Sequence, residues 1–250
     1  MVRPRNWPSF RTTIYLILAS SCIFLAACAT DLHLAVRVGD VDQVKRLLER
    51  GRDPNATDYR GETPLCWAAE DGSTSKVKLL LAKGANPSLI VQRGAFTYQP
   101  DLQDTNAATP LMLAAAGGHL ETAQLLLNAG ADPNLRGPLG VTALDSAIRN
   151  KHGDVALLLL DAGANPNPKL QPVGGLSFMT PLEGAITNED VELTEALLNK
   201  GASVTDLSTK LLTIKCSGGF AGALIQRDPR FEWLRNCQTQ SWLSKFRQRF

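Results

Sequence analysis

Apolar residues recur along the chain at the spacing of short paired helices. Five stretches each carry a leucine, an alanine three positions later, and a leucine pair twelve and thirteen positions after that alanine. The leucine pairs are Leu47-Leu48, Leu80-Leu81, Leu126-Leu127, Leu159-Leu160 and Leu197-Leu198. Apolar residues three apart share one face of a helix, whereas a half-buried strand alternates every second residue. The pattern therefore predicts an all-α chain built from repeated helix pairs.

Each apolar stretch lies in a fixed frame that starts at a threonine and ends at a glycine 21 residues later. The threonines are Thr30, Thr63, Thr109, Thr142 and Thr180. The closing glycines are Gly51, Gly84, Gly130, Gly163 and Gly201. Such a period predicts stacked repeats, each burying its leucines against its neighbours.

The residues at the ends of each unit are those that begin and end helices. A threonine hydroxyl can cap a helix, and Pro64, Pro110 and Pro181 stand at the first helical position, where no N–H is needed. A glycine after the second helix suits a left-handed backbone. Segments such as Asp132-Pro133-Asn134 then turn the chain away from the helix.

These motifs resemble the ankyrin repeat, most clearly in Thr63-Pro64-Leu65-Cys66-Trp67-Ala68-Ala69 and Gly130-Ala131-Asp132-Pro133-Asn134. The resemblance covers about residues 30–206 and implies a solenoid of about five helix-turn-helix repeats with long finger loops. We place the array at residues 28–206. Its repeats lie near residues 30–60, 61–107, 108–139, 140–177 and 178–206.

Two features depart from a regular array. The glycine spacing is 33, 46, 33 and 38 residues, which predicts insertions of 13 and 5 residues in the second and fourth fingers. Lys151 and Glu189 stand at the position where the turn between the two helices usually has a glycine. We expect local irregularity there in an otherwise intact fold.

The resemblance also implies which residues face the concave binding surface. These are residues four, seven and eight after each threonine, and those just before the finger glycine. They include Tyr59, Arg60, Trp67, Glu70, Asp71, Leu113, Leu139, Arg149 and Asn150. Trp67 is a large aromatic residue where repeat packing does not require one, so it is either a binding hot spot or covered by the neighbouring finger.

The long insertion, Ser88–Ala108, carries several apolar residues, among them Phe96 and Tyr98. A loop of this length in a compact array is usually functional or disordered, and its apolar content argues against disorder. It either grips a partner, with Phe96 and Tyr98 as contacts, or packs on the array as a flap.

The N-terminus is predicted to be an export signal, residues 1–27. Arg3, Arg5 and Arg11 precede a charge-free apolar run, Ile14–Ala27, that would be about 21 Å long as a helix. This is short for a membrane span of about 30 Å and suits a signal peptide.

The signal ends in Leu25-Ala26-Ala27-Cys28, which resembles the bacterial lipobox. That resemblance implies diacylation of Cys28, membrane attachment facing the periplasm and, since alanine follows the cysteine, the outer membrane. Cleavage at an ordinary site in Ala27-Cys28-Ala29, or retention of the whole segment as an anchor, stays open.

The C-terminal segment, 207–250, differs from the array in charge. Residues 28–206 hold 15 Lys+Arg and 22 Asp+Glu, whereas residues 207–250 hold eight and two. An acidic body disfavours nucleic-acid binding. The segment is either a helical cap over the array's end or a basic amphipathic helix that touches anionic lipid or an acidic partner. Cys216 and Cys237 within it could form a disulfide in an oxidising compartment.

Candidate chemistry is sparse. Cys66 takes the position of the repeat's usual histidine and is expected to be a buried thiol. His33, His119 and His152 hold structural positions, and neither zinc spacing nor a nucleophile elbow is present in the sequence. We therefore expect a monomeric, non-catalytic protein-binding module without cofactor or metal. It would act as an adaptor, an inhibitor or an immunity protein, or alternatively as an envelope tether acting through the basic tail.

Overall fold

The computed structural model describes residues 31–58, 61–90, 108–137, 140–168 and 179–203. These residues form ten helices and no strand. The helices are α1 (Asp31–Val38), α2 (Val41–Glu49), α3 (Pro64–Glu70), α4 (Thr74–Ala82), α5 (Pro110–Ala116), α6 (Leu120–Asn128), α7 (Ala143–Arg149), α8 (Gly153–Asp161), α9 (Pro181–Thr187) and α10 (Val191–Asn199). The predicted all-α repeat fold is confirmed.

Consecutive helices pair into five layers, and each layer packs on the next. First helices contact first helices along the array and second helices contact second helices, as in α5 against α7 and α6 against α8. The leucine at the start of each first helix and at least one of each leucine pair are buried. The core is therefore a continuous seam that no single layer could bury alone.

The helix caps match the sequence prediction. The hydroxyls of Thr63, Thr109, Thr142 and Thr180 each accept from the backbone N–H three residues on. All five closing glycines have φ between 81° and 88°, a left-handed conformation that costs glycine little. Each cap satisfies a group that the helix end would otherwise leave unpaired.

Lys151 and Glu189 adopt the left-handed backbone that Gly72 and Gly118 adopt in the equivalent turns of earlier repeats. Their φ angles are 63° and 60°. A non-glycine residue in this region costs about 1–2 kcal/mol. The expected irregularity is thus confined to backbone strain, and the helices on either side keep their places.

Side chains of the helix-connecting turns and of α4 join each layer to the one before it. His119 Nε2 donates to the carbonyl of Glu70 at 2.9 Å, and His152 Nε2 donates to that of Ala116 at 3.1 Å. Asn188 donates to the Ile148 carbonyl at 2.7 Å, while the Lys76 ammonium bonds the carbonyl of Val36. Every junction between layers carries one such bond.

A second ladder joins the turns that follow the second helices. The Asn55 side-chain amide donates to the Gly84 carbonyl at 3.0 Å and accepts from the Asn86 N–H at 2.8 Å. Two further asparagines, Asn134 and Asn167, make the same pair of bonds to the following repeat. We call these paired bonds the amide ladder.

The junction between the second and third repeats departs from the amide ladder. Ser88 stands where three other turns have asparagine, and its hydroxyl accepts from the Asp132 N–H at 3.3 Å. The backbone turn itself is unchanged, because Asn86 Oδ1 accepts from the Ser88 N–H at 2.9 Å as the aspartate or asparagine does in the other turns. The serine hydroxyl thus makes one hydrogen bond across this junction, whereas each asparagine amide makes two. The long insertion of the chain lies at the same junction.

Candidate functional site

The third residue after the threonine differs between repeats, and the side chain at this position either packs in the core or caps its own helix. His33 is fully buried and its Nε2 donates to the Glu62 carbonyl of the next repeat at 2.8 Å. Cys66 is a fully buried thiol, as predicted. Asp145 and Glu183 instead accept from the backbone N–H of their own capping threonine, which completes a capping box.

The candidate titratable groups therefore have structural roles. Burial raises the pKa of Asp145, an effect opposed by its hydrogen bonds from the Thr142 N–H and hydroxyl. His119 and His152 join repeats, as described above. Within the described part of the chain, no group of three His, Cys, Asp or Glu side chains is placed to hold a metal ion.

Trp67 packs against the preceding repeat. Its ring meets the His33 ring edge-on, with centroids 5.4 Å apart, and the Arg37 guanidinium lies 5.0 Å above it. Only 7% of Trp67 is exposed. Trp67 thus has packing partners in the preceding repeat, which are the third and seventh residues after Thr30. The residues of the neighbouring finger that could cover it, 91–107, lie outside the described residues. A contact between Trp67 and a partner stays a prediction.

The fourth residue after each threonine marks a gradient along the concave face. Leu34, Trp67 and Leu113 are large and apolar, whereas Ser146 and Gly184 are small. A Cβ on Gly184 would meet Ile148 Cγ2 at 2.5 Å, so packing against the fourth repeat leaves no room for a side chain there. Because Trp67 is buried, Leu113 is the apolar side chain that this position leaves half-buried in the middle of the array.

Leu113 and Arg149 are predicted contacts that the structure leaves at least partly accessible. Leu113 is half-buried on α5, and Arg149 is exposed at the end of α7, next in the stack. Asn150 follows Arg149 and is exposed, as are Glu70 and Asp71 at the end of α3. These residues offer one half-buried apolar side chain, with charged residues of both signs on the neighbouring layers.

Other predicted site residues lie outside the described residues. They are Tyr59, Arg60, Phe96, Tyr98, Leu139, Cys28, Cys216 and Cys237. Sequence reasoning also missed features that the structure shows. Arg37 covers Trp67, and Leu34 and Val38 are exposed on the first helix. The signal was available, since Leu34 and Val38 stand four and eight residues after Thr30, at positions that the resemblance assigns to the concave face.

Acid should weaken the fold through His33. Burial lowers the pKa of His33 below its usual 6.5, more than the Glu62 hydrogen bond and the nearby Asp58 and Glu62 charges raise it. The unfolded ring therefore takes up a proton first, and the free energy of unfolding falls as pH drops below about 6.5, by up to about 1.4 kcal/mol per pH unit.

Urea unfolding of the parent and of His33→Gln between pH 7.5 and 5.5 checks this. We expect a steeper loss of stability in the parent, since glutamine can still donate to the Glu62 carbonyl but does not titrate. Equal slopes would contradict the prediction. Comparison of the two variants cancels the opposite effect of Asp145, whose raised pKa costs stability as pH rises from 3.8 through its folded value.

Comparison with known proteins gives one family. The model of a family described as ankyrin repeats (3 copies) matches residues 32–135 and 87–169, which together span more than half of the 250 residues. No curated protein matches the chain. Within the residues that the structure describes, every helix is too short or too polar to span a bilayer.

Proposed function

This chain belongs to the ankyrin-repeat family, whose members generally mediate protein–protein interaction without catalysis, and from that premise we propose that it binds one partner protein through its concave face and finger loops. We further propose that it does so as a lipid-anchored, periplasm-facing protein of a bacterial envelope, held by Cys28. An inhibitor or immunity role fits a module that grips a single protein.

The position of Leu113 between layers that carry exposed charged residues supports this proposal. The apolar Leu113 lies one layer from the exposed Arg149, and exposed carboxylates of Glu70 and Asp71 lie on the layer before it. A binding site needs apolar area in its centre and charged groups at its rim.

A charge placed on the concave face should weaken binding. We expect Leu113→Glu combined with Arg149→Glu to reduce partner affinity at least tenfold, about 1.4 kcal/mol, because both changes desolvate a carboxylate in the contact area. The partner is identified by affinity purification of the tagged chain from intact envelopes with mass spectrometry. Its affinity is then titrated with the purified proteins.

The matched control variant carries Leu120→Glu and Lys83→Glu. It makes the same charge changes at exposed positions on or just after second helices. Equal affinity loss in both variants, or none in the first, would refute a concave-face site. Binding lost only when residues 226–250 are deleted would favour the rival function, an envelope tether acting through the basic tail.

The lipid anchor has its own test. We expect the N-terminal peptide of the mature parent to begin at Cys28 and to carry an acyl mass, because the thiol is the acceptor in the lipobox resemblance. Cys28→Ser should lack that mass and move from the membrane to the soluble envelope fraction. Membrane attachment of the parent without an acyl mass would contradict lipidation and favour a retained N-terminal segment.

A further inference from the structure

The fifth repeat has an apolar side chain that points away from the first four. Ile186 on α9 stands six residues after Thr180, and its equivalent in the fourth repeat is Ile148. Ile148 points at the following repeat, because a Cβ on Gly184 would meet its Cγ2 at 2.5 Å. By the same register, Ile186 points to the side where a sixth repeat would stand.

Ile186 is nevertheless as well buried as its equivalent. Ile148 is 3% exposed beneath the fifth repeat, and Ile186 is 6% exposed although no described repeat follows it. An apolar side chain at an uncovered end of a stack would meet water. The structure is that of a single chain, so the cover over Ile186 comes from the chain itself. The described residues end at Ser203, and residues 204–250 follow.

The segment 207–225 has the pattern of one more helix pair. Its apolar residues fall into two groups at helical spacing, which are Leu207, Leu211 and Ile214, then Phe220 and Leu224. Ser217-Gly218-Gly219 lies between the groups and is a turn sequence. The segment is as long as the helix pair of the second repeat, Pro64–Ala82. It therefore has the length and the apolar residues for one further layer.

This segment is also within reach of the fifth repeat. Four residue steps lead from Ser203 to Leu207 and span at most about 14 Å when fully extended. Packed helices lie about 8–10 Å apart. The start of the segment is therefore no further from the fifth repeat than a neighbouring layer would be.

The charges on the two sides are opposite. Residues 179–203 hold five acidic residues and one lysine, and that lysine, Lys200, pairs with Asp161 of the fourth repeat at 3.4 Å. Glu192 on α10 is exposed. Residues 207–225 hold two lysines, Lys210 and Lys215, and no acidic residue. Contact between the segment and the fifth repeat would bring these opposite charges together.

We propose that residues 207–225 stack on the fifth repeat as a sixth layer and cover Ile186. This layer has no finger loop, because Leu207 comes six residues after Gly201, whereas Pro64 comes 13 residues after Gly51. The proposal does not rest on partner binding by the concave face. It makes residues 207–225 part of the fold and leaves residues 226–250 as the part of the basic tail open to an envelope tether.

Zero-length cross-linking of the full chain tests the contact. A carbodiimide joins a lysine amine to a carboxylate at ion-pair distance, and the joined peptides are identified by mass spectrometry. The pair Lys200–Asp161 is the internal control. We expect Lys210 or Lys215 to be joined to a carboxylate of the fifth repeat. A joined control pair, with neither lysine joined to the fifth repeat, would overturn the proposal.

A mixture of isotopically labelled and unlabelled chains separates contacts within one chain from contacts between copies. We expect the joined peptides to come from the same chain. Links found only between labelled and unlabelled chains would assign the face at Ile186 to a second copy and overturn the sixth layer.

Cysteine labelling of the full chain tests the cover itself, with a reductant present and a maleimide read on each peptide by mass spectrometry. Ile186→Cys is compared with Thr187→Cys, an exposed position, and with Ile148→Cys, which the fifth repeat covers. We expect position 186 to react at least tenfold more slowly than position 187. Equal rates at positions 186 and 187 would contradict the cover.

Leu211→Glu with Leu224→Glu should then release the cover, because each change places a carboxylate on the apolar face of the segment. We expect labelling at position 186 to rise at least tenfold while position 148 stays slow. Unchanged protection at position 186 would assign the cover to another part of the chain, such as residues 169–178, and overturn the proposal. If position 148 also reacts faster, the repeats beneath have opened, and cross-linking of the unmodified chain decides.

Discussion

Trp67→Ala is expected to lower the free energy of unfolding by about 3 kcal/mol, the lower end of the range for truncating a buried aromatic residue. The cause is the seat that the first repeat provides. The ring lies edge-on to His33 and under Arg37, and 7% of the residue is exposed. Truncation would leave a cavity between two repeats and remove one of the contacts that join them. Urea unfolding followed by circular dichroism measures the change.

Trp67→Phe is the matched variant. The indole Nε1–H is buried, and none of the residues that the structure describes accepts from it, so the parent already bears the cost of a desolvated donor. Phenylalanine removes that donor and keeps most of the ring. We expect stability within about 1 kcal/mol of the parent. A loss below about 1 kcal/mol in Trp67→Ala would show that the ring has no core role, and a partner contact would then be its main explanation.

This result also decides how binding should be tested. A Trp67→Ala variant that binds poorly could do so because the first two repeats have separated. Leu113 and Arg149 are closer to the surface, so changes there report on the contact itself.

Asn134→Ala should cost about 2 kcal/mol, because the side-chain amide makes two bonds to the next repeat, each contributing about 1 kcal/mol net. It donates to the Gly163 carbonyl at 3.0 Å and accepts from the Asn165 N–H at 2.7 Å. Urea unfolding, with the fourth repeat monitored by amide hydrogen exchange, measures the loss and its location.

Ser88→Asn is the complementary change. The turn at Ser88 has the same backbone bond as the turns that carry asparagine, so an amide there is placed to donate to the Gly130 carbonyl. We expect a gain of about 1 kcal/mol. A neutral or negative effect of Ser88→Asn, together with a neutral Asn134→Ala, would show that the amide ladder does not hold the repeats together.

Local features of the fold could be predicted because their causes lie within one repeat. The Thr109 cap, the left-handed Gly130 and the strained Lys151 each depend on residues a few positions apart. Contacts between repeats were harder. The Asn134 bonds and the seat of Trp67 join residues about 30 positions apart, and their partners follow only once the stacking register is known. The recurrence of asparagine four residues after the closing glycine was a signal that sequence reasoning did not use.

The candidate site was predicted less well for a similar reason. Position within the repeat correctly placed Arg149 at the surface. It did not show that Trp67 would be covered, because the cover depends on what the preceding repeat offers at two positions, His33 and Arg37. Exposure on a solenoid is thus a property of neighbouring repeats rather than of one motif.

The single hydrogen bond that Ser88 makes across its junction has a mechanical consequence. If the array is anchored at Cys28 and bound to a partner further along, as proposed, any pulling force would pass through its junctions one after another. Among the described residues, the junction between the second and third repeats has the fewest amide-ladder hydrogen bonds. We therefore expect these two repeats to separate first under tension. Rupture there would leave the anchored pair of repeats behind and let the distal three move with the captured protein.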